Sequence, residues 1–216
     1  MKKKYSTLPE SMKSMEMYGF NWMEFVVGVP SPLCIITSYK SNGQPNACMQ
    51  SWITFTGGNN GYFAIVSAVN KRGHLYQTLH ETGEVVINFM SADWYDRCML
   101  TCEKNDFETD EIRAAGLTPA KANQINAPLI DECFMNLECR FKWEKEVAEG
   151  DGHVLACLEI VNIQIDERHA DENDLGRTGK TGILYNVHHP IYPETCKGTA
   201  HDYLAVLQKI RDYAEY

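Results

Sequence analysis

The chain has 216 residues, 44% hydrophobic and 23% charged, the balance of one ordinary globular domain with a sizeable core. Its net charge of −9 excludes nucleic acid as the main partner, because a phosphate backbone needs a basic footprint. No apolar run approaches the roughly 18 residues of a membrane helix, so no membrane partner is expected.

Residues 1–29 read as an N-terminal extension. Its start, MKKKYSTLPESMKSMEMYGF, has basic residues but no apolar stretch behind them, so it is not a secretory signal and the chain reads as cytoplasmic. Pro30 and Pro32 then punctuate the entry to a β-branched strand, Leu33 to Tyr39. Asn42-Gly43 marks a hairpin turn. A second strand follows in NACMQSWITF, a turn in TGGNNG, and a third strand at Tyr62 to Val69.

The period then changes. Leu75, Tyr76 and Leu79 share a helical face, with Gly83 as the stop. Glu84 to Met90 is the fourth strand, and SADWYDRCMLTCEKN reads as a helix with Ser91 or Asp93 near its N-cap. Residues 104–128 read as a long irregular excursion. Leu137, Cys139, Phe141 and Trp143 alternate with charged residues, which marks a half-buried strand. Val154 to Asp166 returns antiparallel to it. Residues 167–216 read as a C-terminal loop and helix, the helix over about Thr199 to Tyr213 with Tyr203, Leu207, Ile210 and Tyr213 on one stripe. The whole of 1–216 reads as a single domain with a core at 30–166. Hairpin-linked strands with few helices predict a mainly β, closed antiparallel barrel with helical decoration.

Two stretches carry candidate chemistry. In SAVNKRGHLYQT, Ser67, Asn70, Lys71, Arg72 and His74 crowd the approach to a helix N-terminus, whose free N–H groups and partial positive charge favour phosphate. A solvated basic turn explains the same residues equally well. In NACMQSW, Asn46, Ala47, Cys48, Met49, Gln50, Ser51 and Trp52 would give a flat heterocycle a soft wall with a polar rim. A sheet core with one polar position is the plainer reading.

Eight cysteines in a reducing compartment read as free thiols, mostly small hydrophobes of the core. Cys98 and Cys102 could share a helix face, and His188 and His189 are adjacent, but no metal-ligand spacing emerges. No side-chain nucleophile or acid–base constellation suggests a catalytic residue.

In combination these pieces resemble the flavin reductase-like family, the FMN-binding split barrels that include flavoredoxin. SPLCIITSYKSNGQPNACMQSWITF is similar to the family's first hairpin, NKRGHLYQTLHETGEVVINF to its phosphate-binding turn, helix and next strand, and GLTPAKANQINAPLIDECFMNLECRF to a following segment. The match runs over about residues 30–166. The resemblance implies a split β-barrel homodimer, Greek-key-like in topology, with FMN near the interface. Asn46 to Trp52 would line the ring, and Ser67, Lys71, Arg72 and His74, with Asn70, would hold the phosphate. Asn88 would be a further contact or a support. It also implies an oxidoreductase that passes electrons through FMN from NADH, NADPH or a redox protein to a small-molecule or protein acceptor. A non-catalytic protein that binds FMN or another cofactor is the alternative. Where family members often carry a hydroxyl residue, this chain has His74, whose charge titrates near neutrality, so phosphate binding should weaken as pH rises.

Overall fold

The computed structural model describes residues 1, 29–103, 105–170, 183–191 and 198–206. The described residues fall into two compact units, a larger one within 32–184 and a smaller one that includes residues 29–31, 185–191 and 198–205.

The larger unit is built on seven antiparallel strands. They are β2 (Cys34–Tyr39), β3 (Pro45–Gln50), β4 (Ile53–Gly58), β5 (Gly61–Asn70), β6 (Glu84–Phe89), β9 (Met135–Glu146) and β10 (His153–Ile165). Their order in the sheet is β3-β2-β6-β9-β10-β5-β4. The order places β3 and β4 at opposite edges, although only Ser51 and Trp52 separate them in the chain. A link that short spans no more than about 11 Å between its flanking Cα atoms. The sheet must therefore curl until its two edges meet, which makes it a barrel with an open seam. The sequence pattern of NACMQSWITF suggests one strand. The structure corrects this, because the chain leaves one edge at Gln50 and joins the other at Ile53.

The β2–β3 turn follows the Asn-Gly signal. Gly43 has φ 82, Gly43 N–H donates to the Lys40 carbonyl at 2.8 Å, and Lys40 N–H donates to the Gln44 carbonyl at 2.9 Å. The hairpin register then pairs Ile35 with Met49 and Ser38 with Asn46. Ile36, Val66, Ile87, Leu137 and Leu158 fill one core. Ile35, Met90, Cys98, Ile112 and Ile130 fill a second on the other side of β2, whose neighbouring residues Ile35 and Ile36 are both fully buried. Each such side chain contributes about 2 kcal/mol.

Helix α1 (His74–Glu81) follows β5 and ends as its sequence predicts, with Gly83 at φ 67. The predicted helix after β6 is broken up. It runs as a 3-10 turn (Ala92–Trp94), a short α2 (Tyr95–Met99) and a second 3-10 turn (Leu100–Cys102). Cys98 is consequently fully buried while Cys102 is exposed, so they do not present the common face read from their spacing. The excursion at 104–128 is less irregular than its composition suggests. It holds α3 (Glu111–Ala114), capped by Asp110, whose carboxylate accepts the Arg113 N–H at 2.9 Å, and one strand of a small hairpin, β7 (Pro119–Lys121) with β8 (Pro128–Ile130). A last short helix, α4 (Glu167–Ala170), follows β10.

The other described sheet has the order β1 (Ser31–Pro32), β11 (Leu184–Ile191), β12 (Gly198–Val206). This corrects the C-terminal helix over its first half: residues 199–206 are strand. The predicted stripe depends mostly on residues after 206, so residues 199–206 have little helical pattern of their own and pairing with β11 decides their state. The remainder of that helix, the side chains of His188 and His189, and residues 2–28 lie outside what is described.

Candidate functional site

The polar edge of β3 and the N-terminus of α1 are joined by a residue that the sequence patterns pass over. Glu111, at the start of α3, is fully buried. One of its oxygens, Oε2, accepts the N–H of Ala47 on β3 at 2.7 Å. The other, Oε1, accepts from Lys40 Nζ at 3.1 Å and lies 3.5 Å from Nδ1 of His74, the first residue of α1. Lys40 is also buried, and its ammonium donates further to the carbonyls of Asp106 and Thr109 at 2.9 and 2.7 Å. The turn carrying those carbonyls brings Phe107 edge-on to the His74 ring, with centroids 6.1 Å apart. It is anchored in turn by Asn42, which donates to the Phe107 carbonyl at 2.9 Å.

Burial falls along β3. Asn46 and Ala47 are buried, while Cys48, Met49 and Gln50, followed by Ser51 and Trp52, are half-buried. Asn46 is 2% exposed, and its Nδ2 has no hydrogen-bond partner among the described residues. A buried amide N–H is expected to have an acceptor. Gln50 Nε2 donates to Cys48 Sγ at 3.4 Å. Burial pushes the Cys48 thiol up to about 11, an effect that Gln50 only partly offsets, so Cys48 lines the wall as a neutral thiol.

A second connection ties the seam to the phosphate-type turn. Ser67 N–H donates to the Trp52 carbonyl at 2.7 Å. Ser67 sits in a β-bulge: β5 advances from Val66 to Val69 while β10 advances only from Ala156 to Val154. Ala68 takes up the extra residue in the left-handed region, φ 55, where a non-glycine residue is strained.

The turn itself is well built for an anion. Asn70 Oδ1 accepts the Arg72 N–H at 2.9 Å, and the Asn70 carbonyl accepts the Gly73 N–H at 2.9 Å. Gly73 is the N-cap of α1 and offers no side-chain cap, and the first turn of α1 carries no acidic residue. The N-terminal N–H groups therefore keep their partial positive charge. Arg72 is exposed next to them.

Lys71 departs from its expected place, and Asn88 takes the supporting one of its two expected roles. Lys71 turns toward the β9–β10 turn, where its ammonium binds the Glu146 carboxylate and donates to the Asp151 carbonyl at 2.7 Å. Glu146 holds the Lys71 pKa up, and Lys71 holds the Glu146 pKa down. Asn88 is fully buried between strands. Its Nδ2 donates to Ile35 O, Thr37 Oγ1 and Val86 O at 3.0, 2.9 and 3.1 Å, and its Oδ1 accepts from Ile130 N and Asn136 Nδ2 at 3.0 and 2.8 Å. With every hydrogen-bonding group used, Asn88 is a support of the barrel. The structure thus brings Ala47 and His74 together at Glu111, and Trp52 with Ser67 directly. Glu111, Lys40 and Phe107 are the members that sequence reasoning misses. The available signal is a lysine closing an apolar strand and an acidic residue before Ile112, the first in a turn and the second in a stretch read as irregular.

A seamed antiparallel barrel with an uncapped helix N-terminus beside a half-open polar strand defines a split barrel of the cofactor-binding kind. The chain belongs to the family described as flavin reductase like domain, whose model matches residues 26–188. A curated relative, an uncharacterized protein of Aquifex aeolicus, is 33% identical over 93 residues, 43% of this chain and 46% of that one. The chain spans less than two thirds of the length of that relative and of a second, from Methanothermobacter thermautotrophicus, of which 65% is covered. Among solved structures, flavoredoxin of Desulfovibrio vulgaris superposes with a TM-score of 0.67 at 18% identity, over 86% of this chain and 92% of that one. A Shewanella frigidimarina structure described as having a split barrel domain gives 0.70 at 17% identity, over 97% and 100%. At these identities the two structures speak for the fold.

Proposed function

We propose that the chain is an FMN-binding oxidoreductase of the flavin reductase or flavoredoxin type, cytoplasmic and homodimeric with FMN near the subunit interface. The observation that carries this reading is the Glu111 bridge. It holds the polar wall of β3 and the side-chain-uncapped N-terminus of α1 in one site, as a ligand with a flat ring and a phosphate requires. The donor set fits that ligand. The α1 N–H groups, Arg72, Ser67 and His74 would hold the phosphate. Asn46 Nδ2, otherwise unpartnered, with Cys48 to Trp52, would meet the ring. Lys71 would contribute through the field it shares with Glu146.

FMN, when bound, supplies the two-electron chemistry. The protein orients the ring against β3, offers N–H donors to its polar edge and limits water at the seam. No residue of the site is assigned a proton-transfer or nucleophilic role. The electron donor in this reading is NADH, NADPH or a redox protein, and the acceptor is a small molecule or a second redox protein.

The test is to load the purified protein with FMN, desalt it and record the visible spectrum, then add NADH or NADPH. Retained flavin bands that bleach on nicotinamide addition are the expected result. Retained flavin bleached only by a reduced redox protein identifies a carrier. Retained flavin that no donor reduces identifies a binding protein and overturns the enzyme reading. No retained flavin overturns the ligand.

A further inference from the structure

We infer that Glu111 is a positioning residue for His74, and that it makes phosphate binding at the α1 N-terminus proceed with uptake of a proton. This inference rests on the FMN reading and adds to it a residue and a proton count.

Glu111 is acceptor-only when ionised. Its Oε1 lies 3.5 Å from Nδ1 of His74, a buried nitrogen that makes no hydrogen bond among the described residues. The hydrogen of a neutral ring is therefore best placed on Nδ1, directed at Glu111, with the bare lone pair on Nε2. The contact is long for a hydrogen bond, but such contacts commonly tighten when the ligand arrives. Lys40 and the Ala47 amide keep the carboxylate fixed, and Phe107 stands edge-on to the ring. The half-buried ring thus has Nδ1 facing a fixed carboxylate, and Nε2 is the nitrogen left for a ligand.

A phosphate oxygen cannot accept from a bare Nε2. Contact requires a proton there, taken from solvent, which leaves an imidazolium between Glu111 and the phosphate. A hydroxyl side chain at this position would need no such proton. The charged groups around the ring are Glu111 and, behind it, Lys40. The turn bearing Phe107 adds Asp106, Glu108 and Asp110. Lys71 and Arg72 precede His74, and Tyr76, His80 and Glu81 share its helix. Of the strands packed on α1, β2 brings Tyr39 beside Lys40, β3 the Cys48 thiol, β5 Tyr62 and β6 Glu84.

The test compares FMN with riboflavin, which has the same ring and no phosphate, by titration calorimetry in buffers of different ionisation heat. The expected result for the native protein at pH 8 is an excess proton uptake for FMN over riboflavin. The second ionisation of the phosphate itself is near pH 6, so its own proton contributes little at pH 8. H74N should remove the excess. K40M/E111Q keeps the buried pair neutral, so that Lys40 is not stranded. It should lower both the excess and the FMN-over-riboflavin preference, the latter roughly tenfold at pH 8, the scale of one charged hydrogen bond. Equal uptake for the two ligands, or an excess that survives H74N or is unchanged in K40M/E111Q, overturns the inference while leaving the FMN reading intact. Failure to bind FMN at any pH overturns both.

Discussion

Lys40 and Glu111, 71 residues apart, form an ion pair with Nζ 3.1 Å from Oε1 and both side chains essentially out of water. Removing two charges from water is costly, and removing only one partner is costlier still because the other is left buried. K40M is therefore expected to lower stability by about 3–5 kcal/mol in urea unfolding. K40M/E111Q should recover most of that loss, since glutamine can still accept from Ala47. If the double variant is no more stable than K40M, the pair is not what holds the 105–111 segment to the barrel.

Glu138 is a buried carboxylate of another kind, met by four amide donors and, among the described residues, by no ion-pair partner. The amides of Asn123 and Gln124 donate at 2.9 and 2.7 Å, and the side-chain amides of Asn162 and Gln164 at 2.7 and 2.8 Å. Burial pushes its pKa up, but these four bonds outweigh it and the folded value lies below the ordinary 4.5. The sign follows: Glu138 contributes stability that is full above pH 4.5 and is lost as pH falls through the lower folded value. E138Q should cost roughly 2–3 kcal/mol at pH 7. Urea midpoints measured from pH 7 to 3 should converge for E138Q and the native protein at the acid end; parallel curves would refute the linkage.

Ala68 holds φ 55 in the bulge beside Ser67. The left-handed conformation costs an alanine about 1 kcal/mol relative to glycine. A68G should raise stability by up to about 1 kcal/mol, and A68V should lower it, β-branching being worse there. A destabilised A68G would show that the bulge is held by the alanine methyl.

The thiols should react in a defined order. Cys102 is exposed, although burial of its sulfur raises its pKa. Cys48 is half-buried and pushed up to about 11. Cys34 and Cys139 are buried, and burial raises both further. Because the thiolate is the reactive form, timed alkylation at pH 8 followed by mass spectrometry should, among the described cysteines, label Cys102 first, Cys48 slowly, and Cys34 and Cys139 only on unfolding. Early labelling of Cys34 would mean that the barrel opens far more readily than its core suggests.

Where side-chain pattern and local turn chemistry agree, the sequence announces its structure. The Asn42-Gly43 turn, the Leu75/Leu79 face closed by Gly83, and the antiparallel pairing of β9 with β10 are in place, but the alternation along β9 is not: Trp143 is exposed and Glu138, expected on the wet face, is fully buried. What was hidden is long-range. Nothing local separates Gln50 from Ile53, because the break there comes from which neighbours each half finds, β2 for one and β5 for the other. Glu111 reads as surface charge until Lys40 arrives from 71 residues away. Asn88 sits on a strand that matches a cofactor contact in sequence, yet its partners on β2, β8 and β9 use every hydrogen-bonding group it has. Residues 199–206 take their state from a partner strand rather than from their own periodicity.

The two-residue link at Ser51 and Trp52 also works as a covalent caliper. Packing forces set most gaps in a protein, and those widen when a core is loosened or warmed. Here the separation of Gln50 from Ile53 is capped by peptide bonds, at about 11 Å, whatever happens to the packing around it. A barrel under stress cannot gape at this point. It must instead unzip a ladder, β2 from β3 or β4 from β5, so the amides bonded in those outer pairs, and not those near the seam, should report the first opening in hydrogen exchange.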